Sequence, residues 1–277
     1  MKILFVGDVF GSAGRGIVRE HLGHLRESHA VDLTVINGEN AAGGFGITPA
    51  LAEELFDLGA DVITTGNHVW DKRELMDYMR SVPPESHERA RRVLRPANLQ
   101  HGLPGFGVYE GTIAEGPEMG TRFAIVNLMG RVFMNGTNDP FYAADELLRS
   151  ITARVVLVDF HAEATSEKVA MGWHLDGRVT ACLGTHTHIP TADERVLPGG
   201  TAYQTDVGMS GPYDSVIGVD KDLVLHRFRT GLPGKFEAAK GNPKLCAALI
   251  ECDAKTGRAR RIQRSSRARC GTAAMTT

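Results

Sequence analysis

Several protein classes are excluded by what this 277-residue chain lacks. No stretch approaches the ~18 uninterrupted apolar residues of a membrane-spanning helix. The apolar start at Ile3–Val6 is short and has no small-residue cleavage site, so Met1–Asp8 reads as a first strand rather than a signal peptide. There are four cysteines, Cys182, Cys246, Cys252 and Cys270, and no C-x-x-C pair. Cys246 and Cys252 share one apolar run, and six residues of strand span roughly 20 Å, beyond the reach of a disulfide. Reduced thiols in a cytoplasmic protein are therefore expected. The glycines at 7, 11, 14 and 16 do not give G-x-G-x-x-G, and neither G-x-x-x-x-G-K-[ST] nor G-x-S-x-G occurs. Those nucleotide cradles and the hydrolase nucleophile elbow are unsupported.

What is present suits an ordinary globular protein with a sizeable core: 42% apolar and 23% charged residues. The net charge of −2 hides an asymmetry, because residues 255–277 hold seven basic residues and no acidic one. The remaining body holds 24 basic against 33 acidic residues, a net of −9. Such a body is a poor general nucleic-acid binder and a suitable home for cations.

Short, nearly all-apolar runs recur at Ile3–Val6, Leu33–Ile36, Val62–Thr65, Phe123–Leu128, Val155–Phe160, Val179–Leu183, Thr201–Thr205, Leu223–Phe228 and Leu245–Ile250. They predict strands buried on both faces. Helices are predicted over 16–29, from Thr48-Pro49 to Gly59, over 71–79 and over 143–151. The first half reads as βαβα and the second as strand-rich. Two packed sheets with helices outside follow, an α/β class. No linker divides the chain, so one domain over 1–267 is expected, with a short frayed tail at 268–277. Arg258–Arg264 is predicted to return as a charged edge strand, which protects against aggregation. Nucleic-acid contact through its arginines is the weaker reading.

The informative pattern is positional. Asp8, Glu39-Asn40, Asn67-His68, His161 and His186/His188 each sit just past the C-terminal end of an apolar run. Ligand sites in α/β sheets lie beyond those strand ends. Taken singly, each has a bland reading as a turn, a solvated loop or a core histidine; jointly those readings require five coincidences. In an extended segment, His186 and His188 would point the same way. The mixed oxygen and nitrogen donors, without thiolate, suit Mn, Fe or Zn better than Ca or Mg. Seven donors suit two bridged ions.

In this order, Gly7-Asp8, Gly38-Glu39-Asn40, Gly66-Asn67-His68, His161 and Gly184-Thr185-His186-Thr187-His188 resemble the calcineurin-like metallophosphoesterases. The resemblance is closest to the bacterial YmdB-type subgroup, the 2′,3′-cyclic-nucleotide phosphodiesterases, and extends to Asn37–Gly44, Asp159–Glu163 and Thr205–Met209. It implies a four-layer α/β/β/α sandwich. It also implies two ions per chain, Fe or Mn first and Zn next. One ion would be held by Asp8, Glu39, Asn40 and His188, the other by Glu39, Asn67, His161 and His186. The chain departs from the wider superfamily at Phe10, where a ligand histidine is usual, at Glu39 in place of the bridging Asp, and at Ala42. The last change removes the carboxylate that usually orients His68.

The implied reaction is attack on a 2′,3′-cyclic nucleotide by a hydroxide bridging the ions, with His68 as general acid to the leaving ribose oxygen. Activity should weaken at high pH. Alternatives are another phosphoesterase (a nuclease, a nucleotidase or a 3′,5′-cyclic phosphodiesterase) and a non-catalytic RNA- or partner-binding regulator. The −9 body argues against a nuclease. A homo-oligomer is compatible with the sequence. Phe45, Phe133 and Tyr213 are candidate base-stacking groups, each expected instead to pack within the fold.

Overall fold

The computed structural model describes residues 1–80 and 88–268. Among them, the chain runs β1 (Lys2–Val6), α1 (Gly11–His29), β2 (Leu33–Asn37), α2 (Pro49–Asp57), β3 (Val62–Thr64), α3 (Arg73–Arg80), α4 (Glu88–Arg91) and β4 (Val93–Leu94). It continues through β5 (Val108–Thr112), β6 (Arg122–Met129), α5 (Pro140–Ser150), β7 (Val155–His161), α6 (Thr165–Leu175) and β8 (Ala181–Thr185). The last elements are β9 (Arg195–Val196), β10 (Ala202–Gln204), β11 (Gly211–Pro212), α7 (Lys221–Thr230), β12 (Pro243–Cys252) and β13 (Ala259–Ala268). Of the expected tail, Ala268 still belongs to β13, and residues 269–277, with Cys270, lie outside the described residues.

One sheet has the order β11-β12-β1-β2-β3-β4, with β13 on β12; the other is β5-β6-β7-β8-β10-β9. Strand alternation sorts their side chains. Ile3, Phe5, Leu33 and Val35 enter a core between the sheets with Phe123, Ile125, Leu157 and Leu183. The intervening Leu4, Val6 and Ile36 face outward to Ile17, Leu22 and Leu25 of α1 and Leu55 of α2. Val126, Val156 and Val158 of the second sheet face Met171 and Leu175 of α6. The result is the expected α/β/β/α sandwich. The Thr48 hydroxyl accepts from the Leu51 N–H at 3.3 Å, capping α2 as its sequence predicts. Cys182, Cys246 and Cys252 are buried free thiols.

The predicted strand at Leu223–Phe228 is instead α7. Asp220 accepts from the N–H groups of Asp222 and Leu223, and Gly231 ends the helix in the left-handed conformation. Cap chemistry at both ends outweighs the short apolar run between them. With α6, which the periodicity does not reveal, this makes the second half less strand-rich than expected. No helix among the described residues is long and apolar enough to cross a membrane.

Phe5 is fully buried at the centre of the inter-sheet core. Phe5→Ala is expected to lower stability by about 3–5 kcal/mol. Chemical denaturation checks this, and a loss below about 1 kcal/mol would contradict the central place given to this layer.

Candidate metal centre

The C-terminal ends of β1, β2 and β3 in one sheet meet those of β7 and β8 in the other. Asp8, Glu39, Asn40 and His161 are buried at this junction, and His188 is almost so. Around His161 Nε2 lie Asn67 Oδ1 at 2.9 Å, Glu39 Oε1 at 3.1 Å and His186 Nδ1 at 3.1 Å. Alongside, His188 Nε2 lies 3.2 Å from Asn40 Oδ1. The Asp8 carboxylate accepts from the His186 backbone N–H at 3.3 Å. All seven candidate donors therefore gather at one edge, although Glu39, His161 and His186 form the tightest cluster.

Supporting contacts fix which atoms face inward. The Thr185 hydroxyl donates to Asp159 (2.7 Å), so it accepts from His161 Nδ1–H (2.9 Å) and leaves Nε2 for the cluster. His188 Nδ1 donates to the Ile217 carbonyl at 2.8 Å. His186 Nε2 lies 3.1 Å from the Glu163 carboxylate, so its Nδ1 faces the site. Asn40 donates its amide to the Gly44 carbonyl at 3.0 Å, which turns Oδ1 toward His188. Outer partners of this kind set the tautomer and orientation of ligating imidazoles.

Two observations bear on whether the donors fit metal ions. One ring nitrogen, His161 Nε2, has two oxygen acceptors and an imidazole nitrogen at 2.9–3.1 Å but carries at most one proton. Such spacings suit neighbouring corners around an ion with ligand bonds of about 2.1 Å. Charge gives the second. Four carboxylates, Asp8, Glu39, Asp159 and Asp206, are buried near the junction against two cationic partners, Lys168 at 2.6 Å from Asp206 and His161 at 3.1 Å from Glu39. Uncompensated buried carboxylates are costly, and cations resolve the deficit.

The titration behaviour reflects that deficit. Burial pushes Asp8 well above the ordinary carboxylate range and also raises Asp159. Burial acts on Glu39 in the same direction, but the charge and hydrogen bond of His161 outweigh it and hold Glu39 at about 2. His161 reaches about 8, because the Glu39 carboxylate more than offsets its burial. Burial, followed by repulsion from His161, lowers His186 to about 3. Burial also lowers His188.

Two local readings of the sequence need correction. His186 and His188 do not share a strand face: both have left-handed backbones (φ 99° and 68°), which bring the rings into one cleft. Gly66, whose backbone is not left-handed, is needed for space. A Cβ there would lie 2.2 Å from the His161 ring and 2.3 Å from Glu39 Oε2. His68 also has a carboxylate after all, since its Nδ1 lies 2.9 Å from Asp71 Oδ2. Asp71, three residues downstream, fills the role lost at Ala42. Phe10, at the usual histidine position, is buried edge-on against the His188 ring.

Other contributors are not among the residues the sequence singles out. Asp159 accepts from Asn37 and Thr64 of one sheet and from Thr185 of the other, tying the sheets together beneath the site. Asp206 accepts from Lys168 and from the Thr187 N–H and hydroxyl, anchoring the histidine-bearing segment. An acid inside the apolar run Val155–Phe160 is the legible signal for Asp159; Lys168 gives none. Above the donors opens a cleft of ≈ 430 Å³ lined by Phe45, His68, Glu163, Ile189, Ile217 and Val219, among others. Phe45 is 37% and Phe133 86% exposed, so neither packs inside as expected, whereas Tyr213 is half-buried and donates its hydroxyl to the Met209 carbonyl.

Metal uptake near pH 7 must displace the proton of His161, while Glu39 is already ionised and His186 already neutral. Affinity should therefore rise about tenfold per pH unit up to about pH 8 and level off above it. Calorimetry in buffers of different ionisation enthalpy should detect proton release at pH 7 that declines by pH 9; pH-independent uptake would contradict this. Gly66→Ala should abolish metal uptake while leaving the far-UV circular dichroism unchanged.

A family model described as "YmdB-like protein" matches residues 4–265. A 2′,3′-cyclic-nucleotide 2′-phosphodiesterase of Bacillus subtilis (strain 168) is 47% identical over 266 residues, 95% of this chain and 96% of its own. A putative phosphatase/phosphodiesterase of Mycoplasma pneumoniae is 35% identical, covering 92% of this chain and 89% of its own. Among solved structures, a hypothetical protein from Thermus thermophilus superposes with a TM-score of 0.87 at 41% identity, covering 97% of this chain and 99% of that one. A structure described as a novel phosphatase from Mycoplasma pneumoniae also gives 0.87, at 35% identity over 97% and 93% of the two chains. By sequence and by fold, the chain belongs to the YmdB-like family.

Proposed function

We propose that this chain is a metal-dependent phosphodiesterase that hydrolyses 2′,3′-cyclic nucleotides, and that residues 1–267 form its one domain. The observation that carries the reading is the cleft itself. Its floor is the donor cluster, its rim holds His68 and, among the described residues, its lining includes no lysine or arginine. A singly charged diester suits such a cleft better than a doubly charged monoester. The Bacillus relative, named for the 2′,3′-cyclic substrate and the 2′ position, supports the same substrate and opening of the P–O2′ bond.

In this reading Asp8, Glu39, Asn40 and His188 hold one divalent ion. Glu39, Asn67, His161 and His186 hold the other, with Fe or Mn preferred and Zn next. When bound, the ions supply a nucleophile from water near neutral pH and neutralise charge on the phosphoryl oxygens. His68 donates a proton from Nε2 to the leaving ribose oxygen, and Asp71 orients the ring through Nδ1. Phe45, Ile189 and Ile217 are the large apolar groups lining the cleft, and the base packs against them. These apolar side chains give the nucleoside part of the substrate its place.

The test is a comparison of 2′,3′-cAMP with 3′,5′-cAMP and p-nitrophenyl phosphate on protein reconstituted with Mn²⁺. Preference for the 2′,3′-cyclic diester is expected, and activity confined to monoesters would overturn the reading. His68→Ala should keep its metal and lose about 10²–10⁴-fold in kcat. Asp71→Asn should lower kcat roughly tenfold at unchanged KM and metal content. Phe45→Ala should raise KM for 2′,3′-cAMP about fivefold or more, while hydrolysis of a cyclic phosphate without a base stays unchanged.

A further inference from the structure

Helix α7 is firmly capped at both ends yet scarcely attached between them. Val224 is the one buried residue of the ten. Leu225 is 50% exposed, Phe228 78% and Leu232, just beyond the helix, 57%. So short a helix gains little order from its own propensity in water, and helices in proteins are held mainly by covering an apolar face. Leu225 and Phe228, three residues apart, make an apolar stripe beside Val224. Asp222 and Arg229, seven residues apart, flank its outer edge, and with Leu225 they line a shallow groove of ≈ 460 Å³ along the helix. Neither Asp222 nor Arg229 has a side-chain partner among the described residues.

We infer that α7 is a self-association surface and that its occupant is α7 of a second copy of this chain, packed antiparallel. The order of charge along the helix selects this occupant. Asp220, Lys221 and Asp222 stand at the N-terminal end, a net of −1 with Asp220 taken up by the cap, and Arg227 and Arg229 stand in the last turn. Arg227 is engaged over the ring of its own Phe236, at 4.9 Å from the centroid. Arg229 is left to pair across the interface. An antiparallel, two-fold pairing sets Leu225 of one copy beside Phe228 of the other and brings each Asp222 to the opposite Arg229. A parallel pairing sets like charge against like. Opposed helix dipoles favour the same antiparallel arrangement. The pairing also reaches the cleft, because α7 follows the segment whose Ile217 carbonyl holds His188 and whose Ile217 and Val219 line the cleft wall.

Sedimentation equilibrium of the full chain, from about 1 to 100 µM, tests the inference. The expected mass is twice 30.0 kDa. The L225E/F228E variant should be monomeric, with unchanged circular dichroism and metal content. D222R and R229D should each weaken the dimer about tenfold, and the D222R/R229D double variant should recover most of the loss. A wild-type protein that is monomeric throughout overturns the inference. So does a dimer that L225E/F228E leaves intact, or a double variant no tighter than either single one. None of these outcomes depends on the substrate proposed above.

Discussion

The structure is organised around buried negative charge. Asp8, Glu39, Asp159 and Asp206 all lie inside the molecule where the two sheets meet, and Lys168 and His161 buried with them offset only two. Burial drives Asp8 and Asp159 toward protonation. A fold that keeps so many acids out of water gains from cations drawn to the same place. Around that site the imidazoles of His161, His186 and His188 are already turned, each through its other ring nitrogen.

The same constraint explains features that look unrelated to chemistry. Asp159 joins Asn37 and Thr64 of the first sheet to Thr185 of the second, so the acid beneath the donors also sets how the two sheets abut. Lys168 reaches from α6 to Asp206 and to the Thr185 carbonyl, holding the segment that leads into two left-handed histidines. Strain in that segment is tolerated because its flanks are tied down. Gly66 completes the arrangement by leaving room for the His161 ring. Removing any of these supports should act on metal binding without touching a donor.

Much of this is legible in the sequence alone. All-apolar runs predict the central strands, and polar residues just beyond their C-terminal ends predict the site, because both follow from local pattern and strand geometry. What stays hidden depends on tertiary contacts. Asp71 reads as an ordinary helix-start acid until the turn at 66–71 brings it to His68. Lys168 carries no sequence signal, since its burial depends on Asp206, 38 residues away. The histidine pair fits strand alternation on paper, but the chain turns left-handed at both positions. Leu223–Phe228 has a strand's composition, and the caps at Asp220 and Gly231 make it a helix.

The central claim, a paired metal site formed by both sheets, is tested most directly by anomalous diffraction from crystals grown with Mn²⁺. Two peaks per chain are predicted, one among Asp8, Asn40 and His188 and one among Asn67, His161 and His186, with Glu39 between them. A single peak would contradict the paired site, and no peak at these residues would contradict the metal centre altogether.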